Sequence, residues 1–294
     1  MILGLLAIAP MARSQPGAAV PAGTVAGTLT VDSVFQGGSD LDTGGSFQLQ
    51  RYGIRAGADV ALPGNRFLGA SVAWHRDDFE FDGTALGLQP PWQEVDSLAL
   101  ALSYSGPLGR AWQLRLMPTI TASGETSASL SDSLVYGGVG VATRSFAPGL
   151  DLGFGLGLFS GLEETRLFPF IAVRWEFASG WVLQNPFRPG PAGPAGLEVA
   201  FSAGGWDLGV GGAWRSYRFR LAGDGANPGG IGEYNGVPLF VRASRSLGPS
   251  FNLDLYLGGT VGGSLELEDA AGDGLARSDF DFAPLAAISV TGRF

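Results

Sequence analysis

The chain has a single histidine, His75, and it opens a run of titratable side chains, His75-Arg76-Asp77-Asp78. An imidazole beside carboxylates is the material of general-base chemistry, in which the acid orients the ring and the ring takes a proton. Asp77 or Asp78 would have to do the orienting. Residues two apart on an extended strand share a face without forming an oriented dyad. No nucleophile stands at a spacing that completes the set. A hydrogen-bonded rim histidine is the favoured reading, and a hydrolase built on His75 is the minor alternative.

Other chemistry is thinner still. There is no cysteine, which excludes thiolate metal sites, thiol nucleophiles and disulfides. All 18 basic residues are arginine, so Schiff-base and phosphate-loop lysines are excluded as well. Asp40 and Asp42, and Glu266, Glu268, Asp269 and Asp273, lack the spaced ligand series of a calcium loop. They read as solvated acidic loops, or as loops bridged to lipopolysaccharide by divalent ions. Gly153, Gly155 and Gly157 alternate along one segment without the helix and acidic residue that a dinucleotide fingerprint requires. No catalytic, cofactor-binding or metal residue is assigned. A net charge of −9 argues against nucleic acid as a partner.

Composition narrows the scaffold. Charged residues make up 15% of the chain, and 48 of its 294 residues are glycine. The first value is low and the second high for a soluble domain. After residue 12 no apolar run approaches the ~20 residues of a spanning helix. Low charge without spanning helices points to the other route across a bilayer, a closed β-barrel. Residues 1–14 read as a signal peptide, short and without a charged start, with Ala12-Arg13-Ser14 as the cleavage region. Residues 15–23 read as a flexible linker and 24–294 as the barrel.

Period two carries that assignment. Phe251, Leu253, Leu255, Leu257, Gly259 and Val261 fall on one face, opposite Asn252, Asp254, Tyr256, Gly258 and Thr260. The pattern returns from Tyr52 to Leu62 and from Trp112 to Thr121. Six short turns, such as Pro63-Gly64-Asn65-Arg66 and Gly248-Pro249-Ser250, alternate with seven longer polar connections. These lie near 37–46, 82–93, 123–133, 161–167, 188–195, 222–236 and 268–279. That asymmetry is expected of short periplasmic turns and longer outer loops. It gives 14 antiparallel strands, starting near 24, 47, 67, 94, 111, 134, 150, 168, 181, 196, 206, 237, 251 and 280. The weakest starts at 181, and its loss with a neighbour would leave 12. Aromatic residues of lipid-facing parity, Phe280 and Phe282 among them, fall toward strand ends. The charges of that parity, Arg76, Asp96, Arg218, Arg220 and Arg245, also sit near strand ends.

Inward parity collects Arg51, Arg55, Asp59, Arg115, Arg144, Asp151, Arg174, Glu176, Glu198, Asp207, Arg215, Arg242, Asp254 and Asp281. Both signs are present in similar number, so no strong ion preference follows. These side chains either line a water-filled path or pair across the lumen and help close it.

The last strand ends on Phe294, and here the chain resembles outer-membrane proteins whose terminal aromatic residue is read by the barrel-insertion machinery. The segments Leu167–Trp175, Gly196–Phe201, Tyr217–Leu221, Pro238–Arg242 and Leu253–Phe294 resemble a family of bacterial outer-membrane barrels of unknown function. The resemblance implies the bacterial outer membrane, with its lipid, lipopolysaccharide and insertion machinery as partners. It transfers no functional residue. The expected function is a channel or transporter for small polar solutes. The alternative is a non-conducting structural or adhesive barrel that acts through its outer loops.

Overall fold

A computed structural model describes residues 20–186, 190–193 and 195–294. The signal segment 1–14 and residues 15–19 of the linker lie outside them. The strands are β1 (Val25–Asp40), β2 (Ser46–Leu62), β3 (Arg66–Asp82), β4 (Glu94–Leu108) and β5 (Trp112–Glu125). Then come β6 (Leu134–Ala147), β7 (Leu150–Gly161), β8 (Glu164–Ala178), β9 (Trp181–Gln184) and β10 (Gly196–Ala203). The chain continues through β11 (Trp206–Ala213), β12 (Arg215–Arg220), β13 (Ile231–Leu247), β14 (Phe251–Glu268) and β15 (Gly274–Arg293). Both β11 and β12 pair with β13, so they are two halves of one pass, interrupted at Trp214. The wall is therefore a closed antiparallel barrel of 14 strands. The 12-strand alternative is excluded, although β9 is only four residues long.

Closure comes from β1 zipping onto β15, with Thr28 opposite Arg293 and Gln36 opposite Leu285. Once the ring closes, every backbone polar group along the joint has a partner, which an open edge in lipid would lack. Strands begin where expected, except β8, β13 and β15. These start at 164, 231 and 274 rather than near 168, 237 and 280. Polar residues that read as loop, such as Glu233 and Ser278, are ladder-paired instead, with Arg218 and Leu265.

The alternation is real over most of the wall. Ile54, Leu100, Phe154, Val210 and Leu257 face outward and exposed, while their neighbours point in. It breaks along one line. Gly37 and Gly38 of β1 stand against the single Gln48, and Gly262 and Gly263 of β14 against the single Gly236. These are β-bulges, and Gly262 takes the φ of +55° that such a kink uses. Each extra residue reverses the parity beyond it. Phe280 is thus inward and 1% exposed, not lipid-facing, although Phe282, two residues on, is 55% exposed. Asp281 falls between them, exposed, where alternation assigns no face.

Two further expectations change. Arg144 is outward: it stands opposite the outward Trp112, and its guanidinium lies 5.3 Å from the Phe146 ring. At a strand end an arginine reaches the polar interface at little cost. Arg218 and Arg220, expected to face lipid, are buried along with all of β12. That half-strand has both faces covered, and at its end Arg220 meets Gly124 of β5 in a parallel bridge.

Candidate functional site

The lumen holds three tiers of side chains. Nearest the short turns, Arg242 of β13 binds Glu198 of β10 through Nε at 2.8 Å and Nη2 at 2.9 Å. Both side chains are fully enclosed. Arg242 Nη2 also reaches Asp207 at 3.3 Å, and Asp254 lies 3.8 Å from Nη1. Around this centre Arg174 bonds Gln184 and Glu176, Ser145 bonds Asp151, and Ser103 bonds Asp59. Arg115 points inward from β5 in the same region, its parity shared with Met117 and Thr119.

In the middle tier the register aligns Asp32, Gly53, His75, Ser97 and Ser123 across five consecutive strands. Gly53 supplies the space. A Cβ there would stand 2.5 Å from His75 Cδ2 and 2.8 Å from Asp32 Oδ1. His75 is therefore a buried lumen residue beside Asp32, not a rim residue oriented by Asp77 or Asp78. Asp77 is taken by Arg51, through Nε at 2.5 Å and Nη2 at 2.7 Å. Ser97 faces His75 in register but shares its hydroxyl with Ser123 Oγ at 2.6 Å. The row has the residue types of a nucleophilic triad without the nucleophile-to-base hydrogen bond that chemistry needs. Arg55 projects into the same tier from β2. Asp32 escaped the sequence reading because it lies 43 positions from His75, and only the strand register joins them.

The upper tier is apolar. Trp92, from the loop after β3, inserts among Phe79, Phe81 and Phe219, with ring centroids 5.8, 5.6 and 5.2 Å away. Phe47, Phe280, Tyr234 and Leu265 extend this core across the mouth. Beside it, the buried arginines of β12 meet a ring of acids. Arg218 bonds Glu164 at 2.8 Å and Glu268 at 2.5 Å, and Arg220 bonds Glu163 at 2.9 Å. Arg166 clasps Glu233 at 2.5 and 2.7 Å. Glu268 read from the sequence as part of a solvated acidic loop, and Glu163, Glu164 and Glu233 drew no notice, because all four lie at or beside strand ends that read as loops.

A segment of the connection between β9 and β10 also enters the barrel. Residues 191–193 are buried, and Arg215 Nη1 donates to the carbonyls of Gly190 at 2.6 Å and Ala192 at 3.3 Å. Asn185 caps the entry, donating to the carbonyls of Ile171 and Gly196. Of the inward residues read from the sequence, Glu198, Asp207, Arg242 and Asp254 meet in one cluster. Arg51, Arg55 and Arg215 serve the middle tier, and Arg144 is outside. Phe294 closes the backbone ladder onto Gly27. Among the described residues no group of three or more His, Asp or Glu is placed to hold a metal.

Comparison with solved structures agrees with this architecture. An outer-membrane channel from Pseudomonas putida F1 superposes with a TM-score of 0.51 and 9% identity, over 94% of this chain and 97% of that one. The toluene transporter TodX of Pseudomonas putida gives a TM-score of 0.44 and 10% identity, over 94% and 91%. The translocator domain of the autotransporter NalP from Neisseria meningitidis gives 0.40 and 10%, over 92% and 89%. No protein-family model matches the chain, and no curated relative matches it. The likeness is one of fold: this chain shares the barrel of outer-membrane channels, and the narrower resemblance to a family of unknown function has no family model behind it.

Proposed function

We propose that the chain is a bacterial outer-membrane channel for small polar solutes, held closed in this conformation. One observation carries the reading. Below the aromatic mouth, the ring carries many charged and hydroxyl side chains inward, with Arg242 and Glu198 at its base and Arg51 and Asp77 at mid-height. A protein that needed only a scaffold would fill a lumen of this width more stably with apolar side chains. The closure is local. Trp92 and its aromatic neighbours block the mouth, and the segment at 190–193 blocks the space beneath. Residues 1–14 serve as an export signal and Phe294 as the insertion signal.

The test is single-channel recording on the refolded barrel in planar bilayers. The reading expects small, intermittent conductance in the wild type and larger, steadier conductance once residues 187–194 are replaced by a short Gly-Ser linker. The enclosed ion pairs and the aromatic mouth favour a second reading, a non-conducting barrel that works through its outer loops. Silence from both forms at every voltage would establish that one instead.

A further inference from the structure

Beneath the aromatic mouth lies a cavity of about 40 Å³. Its polar lining includes Gln36 of β1, Arg51 of β2, and Arg215 and Tyr217 of β12. All four carry hydrogen-bond donors. The side-chain oxygen of Gln36 already accepts from Tyr234 Oη at 2.6 Å and Thr260 Oγ1 at 2.9 Å. What remains is its Nε2, which has no partner among the described residues. Tyr217 Oη has none either. Gln36 is 2% exposed and Tyr217 7%. Buried donors without acceptors are costly and rare, and two of them converging on one cavity with two guanidinium groups mark a place for an acceptor.

Charge defines that acceptor. Arg51 is neutralised by Asp77, and its guanidinium stacks 4.6 Å from the Tyr217 ring centroid. Among the described residues Arg215 donates to the backbone carbonyls of Gly190 and Ala192, and none of the ion pairs formed there includes it. Asp32 also interacts with Arg51, Arg55 and Arg215, so with Asp77 two acids face three guanidinium groups and about one positive charge is left over. Val34, Leu49, Leu285 and Pro191 add apolar surface to the lining, with Leu49 and Leu285 flanking Gln36 in register. The volume holds on the order of three water-sized groups. That suits a carboxylate carrying one or two carbons.

We propose that this cavity is a binding site for a small monocarboxylate. The carboxylate accepts from Arg215, Tyr217 and Gln36, and the short alkyl end rests against Leu49 and Pro191. The assignment builds on the channel reading and gives that path a substrate class. A bare inorganic anion would satisfy the donors but leave the apolar lining unfilled. A dianion would bring a second charge that no cation here matches.

The experiment uses the full refolded barrel in detergent and follows the ¹⁹F line width of fluoroacetate. Saturable broadening is expected, reversed by propionate but not by equal chloride. Arg215→Gln should weaken binding about tenfold and Tyr217→Phe about threefold, with heat-modifiable gel mobility confirming that each variant is folded. Tyr217→Phe, which removes one oxygen, remains informative if Arg215→Gln does not refold. The site is refuted by an unsaturable wild type, by equal displacement with chloride, or by unchanged binding in the folded variants. Parallel bilayer recordings separate this from the parent reading. A barrel that conducts without binding fluoroacetate overturns the site alone, and one that binds without conducting overturns the channel alone.

Discussion

Arg242 and Glu198 meet in parallel, two nitrogens against two oxygens at 2.8 and 2.9 Å, with neither side chain reaching solvent. They come from β13 and β10, on either side of β11, and so tie together three strands of the wall. Deleting one partner of an enclosed pair leaves the other charged and unmatched, which costs about 3–5 kcal/mol. Glu198→Ala should lower unfolding stability by that amount, read from urea titrations of the barrel refolded into lipid vesicles. Replacing both, as Glu198→Leu with Arg242→Met, should recover most of the loss. A double variant as unstable as the single one would show that the charges themselves are required.

Gly209 of β11 is where that pair fits through. A Cβ there would lie 2.7 Å from Glu198 Cδ and 3.1 Å from Arg242 Nη2. Gly209→Ala should therefore cost roughly 1–3 kcal/mol by forcing the pair apart. Gly38→Ala is the control, because a Cβ at that position meets nothing within 4 Å. Equal stability of the two variants would contradict the packing described.

Trp92 is the centre of the mouth. Trp92→Ala should destabilise the barrel by about 3–5 kcal/mol through the vacated volume. It should also raise conductance in planar bilayers, since the same ring blocks the outer opening. Loss of stability with no rise in conductance would place the barrier lower, at the segment held by Arg215.

The outer face gives a contrast. Leu257 is 63% exposed at mid-height, and Leu257→Arg should cost about 2–4 kcal/mol in vesicles. Arg144→Leu, near a strand end, should shift stability by no more than about 1 kcal/mol. A large effect at Arg144 would return that residue to the interior.

The strands were legible because lipid enforces a strict period of two. Phe251 through Val261 display it without interruption, and turns such as Gly248-Pro249-Ser250 mark its ends. The interior was legible only as parity. Gly262 and the Gly37-Gly38 pair reverse that parity, and nothing in a local pattern announces a bulge, since glycine suits either face. Arg144 was misplaced because its strand, with Gly137, Gly138, Gly140 and Ala142, carries small residues on both faces. The middle tier could not be found at all. Asp32 and His75 come together through strand register, and Tyr217 meets Arg51 across the lumen, relations that sequence separation hides.

The joint between β1 and β15 places Thr30 Oγ1 3.0 Å from Thr291 Oγ1, across 261 positions of chain. All 14 passes must therefore be held in approximate order before the ring can lock, and until then two strand edges lie bare. Contacts this distant form slowly, and exposed edges invite pairing with other chains. A cut within residues 285–293 should therefore leave the molecule with every strand but the clasp, open-edged and prone to aggregate on refolding.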